Sequence, residues 1–132
     1  MPMKEKKTKF QEGLEVRKAV LGEEYVNKSI SGATDFIKPL QELVTEYCWG
    51  TIWARTGLAR RTRSLINLGI LTALNRPNEL KLHVMGAVRN GCTKEEILET
   101  LLQATVYCGV PAGVEAFRVA NEALKESSEK RQ

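Results

Sequence analysis

The sequence has little of what many catalytic centres are built from. Its 132 residues include one histidine, His83, and three cysteines, Cys48, Cys92 and Cys108. The thiols are odd in number, widely separated and never spaced C-x-x-C, which argues against a secreted disulfide framework and leaves reduced core thiols as the expectation. One imidazole and scattered thiols also argue against a histidine- or thiolate-rich metal site, unless an oligomer collects one ligand per subunit. Chemistry without metal or cofactor is expected. The longest apolar run, "SLINLGILTAL", is about half of the roughly 20 residues that cross a bilayer, and the basic start "MPMKEKKTKFQEG" leads into no hydrophobic signal segment. A cytosolic location without a membrane partner is expected. Aromatics are also few, and none interrupts the basic run "RTGLARRTR", so base stacking has no support. The net charge of +4 comes partly from lysines near the start, and nucleic acid is not an expected partner.

What is present fits one compact domain over residues 1–132, with a core from about 10 to 125, since 42% of the residues are hydrophobic and 27% charged. No repeat or strand alternation occurs, and each clear segment has helical periodicity, which predicts an all-α fold of about six helices. The first runs from Lys7 to Leu21. "SISGATDFIKP" then bends the chain into a second, from Lys38 to Ala54. A turn at Gly57 precedes the third, Arg60 to Leu74, which is apolar nearly all round and therefore expected at the centre. Pro77 opens the fourth with Asn75 as candidate cap, and Gly91 closes it in the left-handed conformation. Thr93 and Glu96 form a capping box for the fifth, Pro111 opens the sixth, and the tail "KESSEKRQ" is expected to fray.

On the second helix, at about 100° per residue, Leu40, Val44, Tyr47 and Thr51 share one side while Glu46, Trp49 and Trp53 share the other. The two tryptophans need cover, either as pocket walls or against another subunit, so a homo-oligomer is expected.

Three groups are candidates for chemistry. His83 lies on the stripe Leu80, His83, Val84, Ala87, Val88; it is either a structural histidine with a satisfied ring nitrogen or a proton-handling group. Glu46 is either a solvated glutamate or, beside two tryptophans, a carboxylate whose charged form is disfavoured. Arg55, Arg60, Arg61 and Arg63 crowd the start of the third helix. They are either solvated or bind an anion, which would offset cations at the positive end of a helix dipole.

The segments "TEYCWGTIWARTGLARRTRSLINLGILTAL" and "ELKLHVMGAVRNGCTKEEILETLLQATVYCGVPAGVEAF" resemble the 4-carboxymuconolactone decarboxylase family over roughly residues 10 to 125. W-G-x-x-W, R-x-R-S-L, L-H-x-x-G-A and Y-x-G-V-P-A are jointly specific. The resemblance implies the all-helical alkylhydroperoxidase D-like fold and assembly as trimers or hexamers. Peroxidatic members of that superfamily carry a C-x-x-C before the corresponding histidine and an earlier glutamate. Counted back from His83, those positions hold Arg76, Glu79 and Ser64, and Cys92 lies on the far side, so a peroxidase is disfavoured.

The resemblance further implies cofactor-independent decarboxylation of 4-carboxymuconolactone to 3-oxoadipate enol-lactone and CO2, in the protocatechuate branch of aromatic catabolism. The substrate supplies its own electron sink, so the protein need only bind anions, desolvate the departing carboxylate and deliver a proton. His83 is then the general acid or the hydrogen-bond donor to the developing dienolate, and Glu46 orients it or relays the proton. Arg63 leads the carboxylate-binding candidates, ahead of Arg61 and Arg55, and Trp53 walls the pocket. A relative acting on another carboxylated lactone or β-keto acid is the nearest alternative, and a non-catalytic oligomeric ligand-binding protein the next.

Overall fold

The computed structural model describes residues 5–130, and its regular elements are all helical. They gather into two compact units, one ending at Gly57 and the other beginning at Leu58.

The first unit holds α1 (Lys9–Leu21), α2 (Glu23–Ser31), α3 (Lys38–Leu43) and a π-helix (Val44–Trp53). Helix α1 starts two residues after its expected start because Thr8 caps it: Thr8 Oγ1 accepts from the Gln11 N–H at 3.1 Å and Gln11 Oε1 from the Thr8 N–H at 2.9 Å. Gly22, at φ 95°, ends α1 and admits α2 at once. Helix α2 was not expected. Val26 is its one buried residue, although Tyr25, Val26 and Ile30 share one helical face.

The expected second helix is present, but its C-terminal part is wound differently. From Val44 to Trp53 the chain is a π-helix, with Ala54 N–H bonded to the Trp49 carbonyl at 3.1 Å. A helix closed i→i+5 turns less per residue than an α-helix, so faces drawn at 100° no longer apply. Trp49 and Trp53 are 3% and 5% exposed and stack with ring centroids 4.7 Å apart. Leu40, Leu43, Tyr47 and Ile52 are the exposed large apolar residues instead, and Glu46 is exposed as well. The expectation that the tryptophans need a pocket or a second subunit to cover them is thus corrected: this chain covers them.

Helix α1 packs directly on the π-helix, and glycine sets the closeness. A Cβ on Gly13 would lie 1.9 Å from the Thr45 carbonyl oxygen, and one on Gly50 would lie 2.3 Å from that of Lys9. Arg17, also on α1, is buried and donates to Gln41 Oε1 at 2.9 Å and Thr45 Oγ1 at 3.1 Å.

The second unit holds α4 (Arg60–Leu74), α5 (Pro77–Arg89), α6 (Lys94–Cys108) and α7 (Val110–Lys130). Helix α4 has its expected bounds and packs on α5, α6 and α7. Only Leu68 of α4 joins the buried cluster, however, while Ile66, Ile70 and Leu74 are exposed. Its all-round apolar character therefore does not make it an enclosed central helix. The core comes mainly from α5 (Leu80, Val84, Ala87), α6 (Ile97, Leu101) and α7 (Ala116, Val119, Ala120, Ala123).

Asn75 closes α4 at φ 57° rather than capping α5, whose first turn contains Pro77 as expected. The Thr93–Glu96 capping box forms, Gly91 has φ 89°, and Pro111 lies in the first turn of α7. Helix α7 continues through most of the expected tail to Lys130, and residues 131 and 132 lie outside the described residues. Of the thiols, all free, Cys92 is buried, Cys48 half-buried and Cys108 exposed, so the last is not a core thiol.

Candidate active site

The stripe that carries His83 forms as the spacing predicts. Leu80, Val84 and Ala87 are buried to 2% exposure or less, which draws the half-buried imidazole toward the core of the second unit. Burial lowers the ring's pKa to about 4, against an opposing, smaller effect from the negative charge of Glu79 one turn earlier. The resting ring is therefore neutral at pH 7.

This shift couples to folding. In the unfolded chain the histidine binds a proton near its ordinary pKa of about 6.5, whereas the folded ring stays neutral until about 4. Falling pH through that interval therefore favours unfolding. Wild type should lose about 3 kcal/mol of stability from this group between pH 7 and 4. His83→Gln should lack that component in urea titrations across the same range, and identical pH dependence in the two proteins would refute it.

Arg61 and Arg63 stand in the first turns of α4. Arg61 is engaged by an ion pair with Glu96 of α6. Hydrogen bonding from Thr93 first, then from Arg61, holds the Glu96 carboxyl below its usual range. Cys92 Sγ donates to the Arg61 carbonyl at 3.3 Å, and Asn90 Nδ2 to Ser64 Oγ at 2.9 Å, fixing the start of α4 to the α5–α6 turn. Arg63 is half-buried.

The candidates divide between the units. His83, Arg61 and Arg63 belong to the second; Glu46, Trp53 and Arg55 belong to the first. Glu46 and Arg55 are exposed, and Trp53 is stacked on Trp49. The aromatic surroundings expected for Glu46 are not formed, because the π-helix buries the rings and leaves the carboxylate outside.

Sequence reading missed three charged residues. Glu79 acts on His83 from the i−4 position, Glu96 occupies Arg61, and Arg17 is a cation at a core-facing position of α1. The capping box signalled Glu96 and helical spacing signalled Glu79; Arg17 followed the buried positions Gly13, Val16 and Val20 without being singled out.

Among the grooves of the second unit are two with largely apolar walls. One, of about 370 Å³, is lined by Ile97, Leu101, Phe117 and Leu124; the other, of about 540 Å³, by Leu65, Ile66, Thr100 and Tyr107. His83 lines neither, so the chemistry of the neutral ring, rather than groove size, marks the candidate site.

Two curated relatives similar to this chain are named as decarboxylases. The chain is 47% identical over 121 residues, 92% of its length and 85% of the relative's, to nitrosuccinic acid decarboxylase of Metarhizium robertsii. It is 41% identical over 118 residues, 89% of its length and 88% of the relative's, to 4-carboxymuconolactone decarboxylase of Acinetobacter baylyi. The carboxymuconolactone decarboxylase family model matches residues 38–122, and the chain belongs to that family. It is a carboxy-lyase.

Proposed function

We propose that the protein decarboxylates 4-carboxymuconolactone to 3-oxoadipate enol-lactone and CO2 without a cofactor, in protocatechuate catabolism. The observation that carries this reading is its similarity, over nearly nine-tenths of both chains, to the Acinetobacter enzyme of that name. The bond to the carboxylate breaks, CO2 leaves, and the electron pair passes through the carbon-carbon double bond into the lactone carbonyl; one proton on carbon then completes the product. His83 supplies a hydrogen bond to the developing dienolate and the proton. A substrate bearing two carboxylates favours the charged ring, so an imidazole that rests neutral takes up its proton with the substrate bound.

The 47% identity to nitrosuccinic acid decarboxylase favours a second reading. A carboxylate on a carbon bearing a nitro group leaves its electron pair as a nitronate, so that substrate also carries its own sink. Freshly generated 4-carboxymuconolactone and nitrosuccinate should therefore be incubated separately, with CO2 and organic product followed. Turnover of the lactone, unchanged by chelators, is expected. Turnover of nitrosuccinate alone would transfer the assignment, and recovery only on metal addition after stripping would overturn the cofactor-free account.

Arg63 is our first choice for gripping a carboxylate, because it lies within R-x-R-S-L in the first turns of α4 and is half-buried. Arg55 is exposed in the first unit and follows as the next candidate. Arg63→Lys keeps the charge but loses the planar fork, so KM should rise, and kcat fall if the same grip orients the leaving group. An unchanged kcat/KM would remove Arg63 from the site.

A homo-oligomer, trimer or hexamer, is part of the proposal. Exposed Phe36, Leu40, Leu43 and Tyr47 on the first unit, and Val106, Tyr107, Val110 and Val114 on the second, give it apolar surface to bury. A monomeric mass in sedimentation at micromolar concentration would refute it. Cytosolic location belongs to the same proposal; no helix among the described residues is long and apolar enough to cross a membrane.

A further inference from the structure

We infer that Glu79 is the proton partner of His83: its carboxyl group exchanges protons with solvent and charges the ring in each turnover, once substrate is bound. This inference rests on the decarboxylase reading and moves the relay from Glu46 on the π-helix to a residue on the histidine's own helix.

Glu79 and His83 are four residues apart on α5, neighbours on one helix face. The glutamate is exposed and the imidazole half-buried, so the pair leads from solvent toward the interior within a single turn. Proline at the first position of α5 and the buried Leu80, Val84 and Ala87 hold that turn rigidly. The negative charge felt at the ring is that of Glu79. Of the charges on the neighbouring helices, several are engaged or at a helix start, and Glu99 of α6 and Lys125, Glu129 and Lys130 of α7 are the others. On α7, Glu126 pairs with Lys81, and Glu115 and Glu122 pair with Arg118. On α6, Glu96 pairs with Arg61. The cations Arg60, Arg61 and Arg63 of α4 stand in its first turns, while Lys94 and Glu95 open α6.

The cycle balances without an oxidant or reductant. Loss of CO2 leaves an electron pair on the substrate, the imidazolium gives its proton to carbon, and the ring becomes neutral. Solvent protonates the Glu79 carboxylate, and once the next substrate is bound that proton passes to the ring, whose cation the restored carboxylate stabilises. One solvent proton replaces one carboxyl group. Because desolvation opposes ring protonation, a carboxylate at the outer edge has the most effect where the ring must carry charge.

The test uses Glu79→Gln, Glu79→Asp and Glu79→Ala, all at an exposed position where folding is retained. With 4-carboxymuconolactone, Glu79→Gln should lose roughly tenfold in kcat with KM little changed, and Glu79→Asp should recover part of it. Added formate should raise the kcat of Glu79→Ala in proportion to its concentration, which a structural role would not produce. His83 is the sole histidine, so its single Hε1 resonance titrates without overlap, and its midpoint should fall by roughly 0.3 unit in Glu79→Gln. Wild-type kcat in Glu79→Gln, failure of formate rescue, or an unmoved ring titration would each overturn the inference while leaving an active decarboxylase in place. If wild type turns over neither candidate substrate, the functional reading fails by itself. The ring titration then decides alone whether Glu79 acts on His83.

Discussion

Gly13→Ala should cost the first helical unit about 3 kcal/mol or more and expose both tryptophans at denaturant concentrations where wild type keeps them buried. The atoms an added Cβ would meet are backbone: the Thr45 carbonyl oxygen at 1.9 Å and the Gly50 nitrogen at 2.7 Å. No rotamer change relieves such contacts, so α1 must move away from the π-helix or the π-helix must distort. Either movement disturbs Arg17, which bonds Gln41 and Thr45 from the next turn of α1. Trp49 and Trp53 are the only tryptophans in the chain and both lie on the π-helix, so a red-shifted emission reports this unit specifically. Gly69→Ala supplies the contrast. An added Cβ there meets nothing within 4 Å, and helix propensity alone should stabilise α4 by up to about 1 kcal/mol. Equal, small effects from the two substitutions would show that close approach at Gly13 is not what holds α1 to the π-helix.

That crossing also shows where sequence reading stops. The α4 bounds, the Thr93–Glu96 box and the His83 stripe were legible because each depends on residues within one or two turns of one another. The π-helix was not. Its residues read as an ordinary apolar helix, and α-helical faces drawn on it placed Glu46 with two tryptophans that the i→i+5 winding buries without it. Gly13 and Gly50 gave no local signal either, since a close approach between backbones is a property of two segments 37 residues apart. Helix α2 was passed over because it is only nine residues long and follows α1 directly after Gly22, so its short stripe of Tyr25, Val26 and Ile30 merges with the bend that follows.

For the candidate site, residue types were legible and partnerships less so. His83 stood out as the sole imidazole on an apolar stripe. That Arg61 is engaged by Glu96 while Glu79 acts on His83 depends on packing and on charges reaching across or along helices. The family motif R-x-R-S-L contains both Arg61 and Arg63, and the α4–α6 ion pair of Arg61 was not legible in it. The motif L-H-x-x-G-A begins too late to include Glu79.

The largest kinetic effect should follow from His83. His83→Gln and His83→Ala should each lower kcat on 4-carboxymuconolactone at least about tenfold, and by up to about 10⁴-fold if the ring delivers the proton to carbon. KM should change little if, as proposed, arginines rather than a neutral ring hold the carboxylates. The fold should survive: the imidazole is only half-buried, and its removal also removes the cost of protonating a buried base at acidic pH. A purely structural histidine gives the opposite pattern, a lowered melting temperature with wild-type kcat, and that result would end its assignment as a catalytic residue. The two substitutions also divide the two roles. Glutamine offers an N–H but no proton acidic enough to transfer in this pH range, so it should outperform alanine if hydrogen bonding to the dienolate dominates. If protonation dominates, glutamine and alanine should be equally poor, and added imidazole should restore turnover only to the alanine variant, where the vacated side-chain volume admits it.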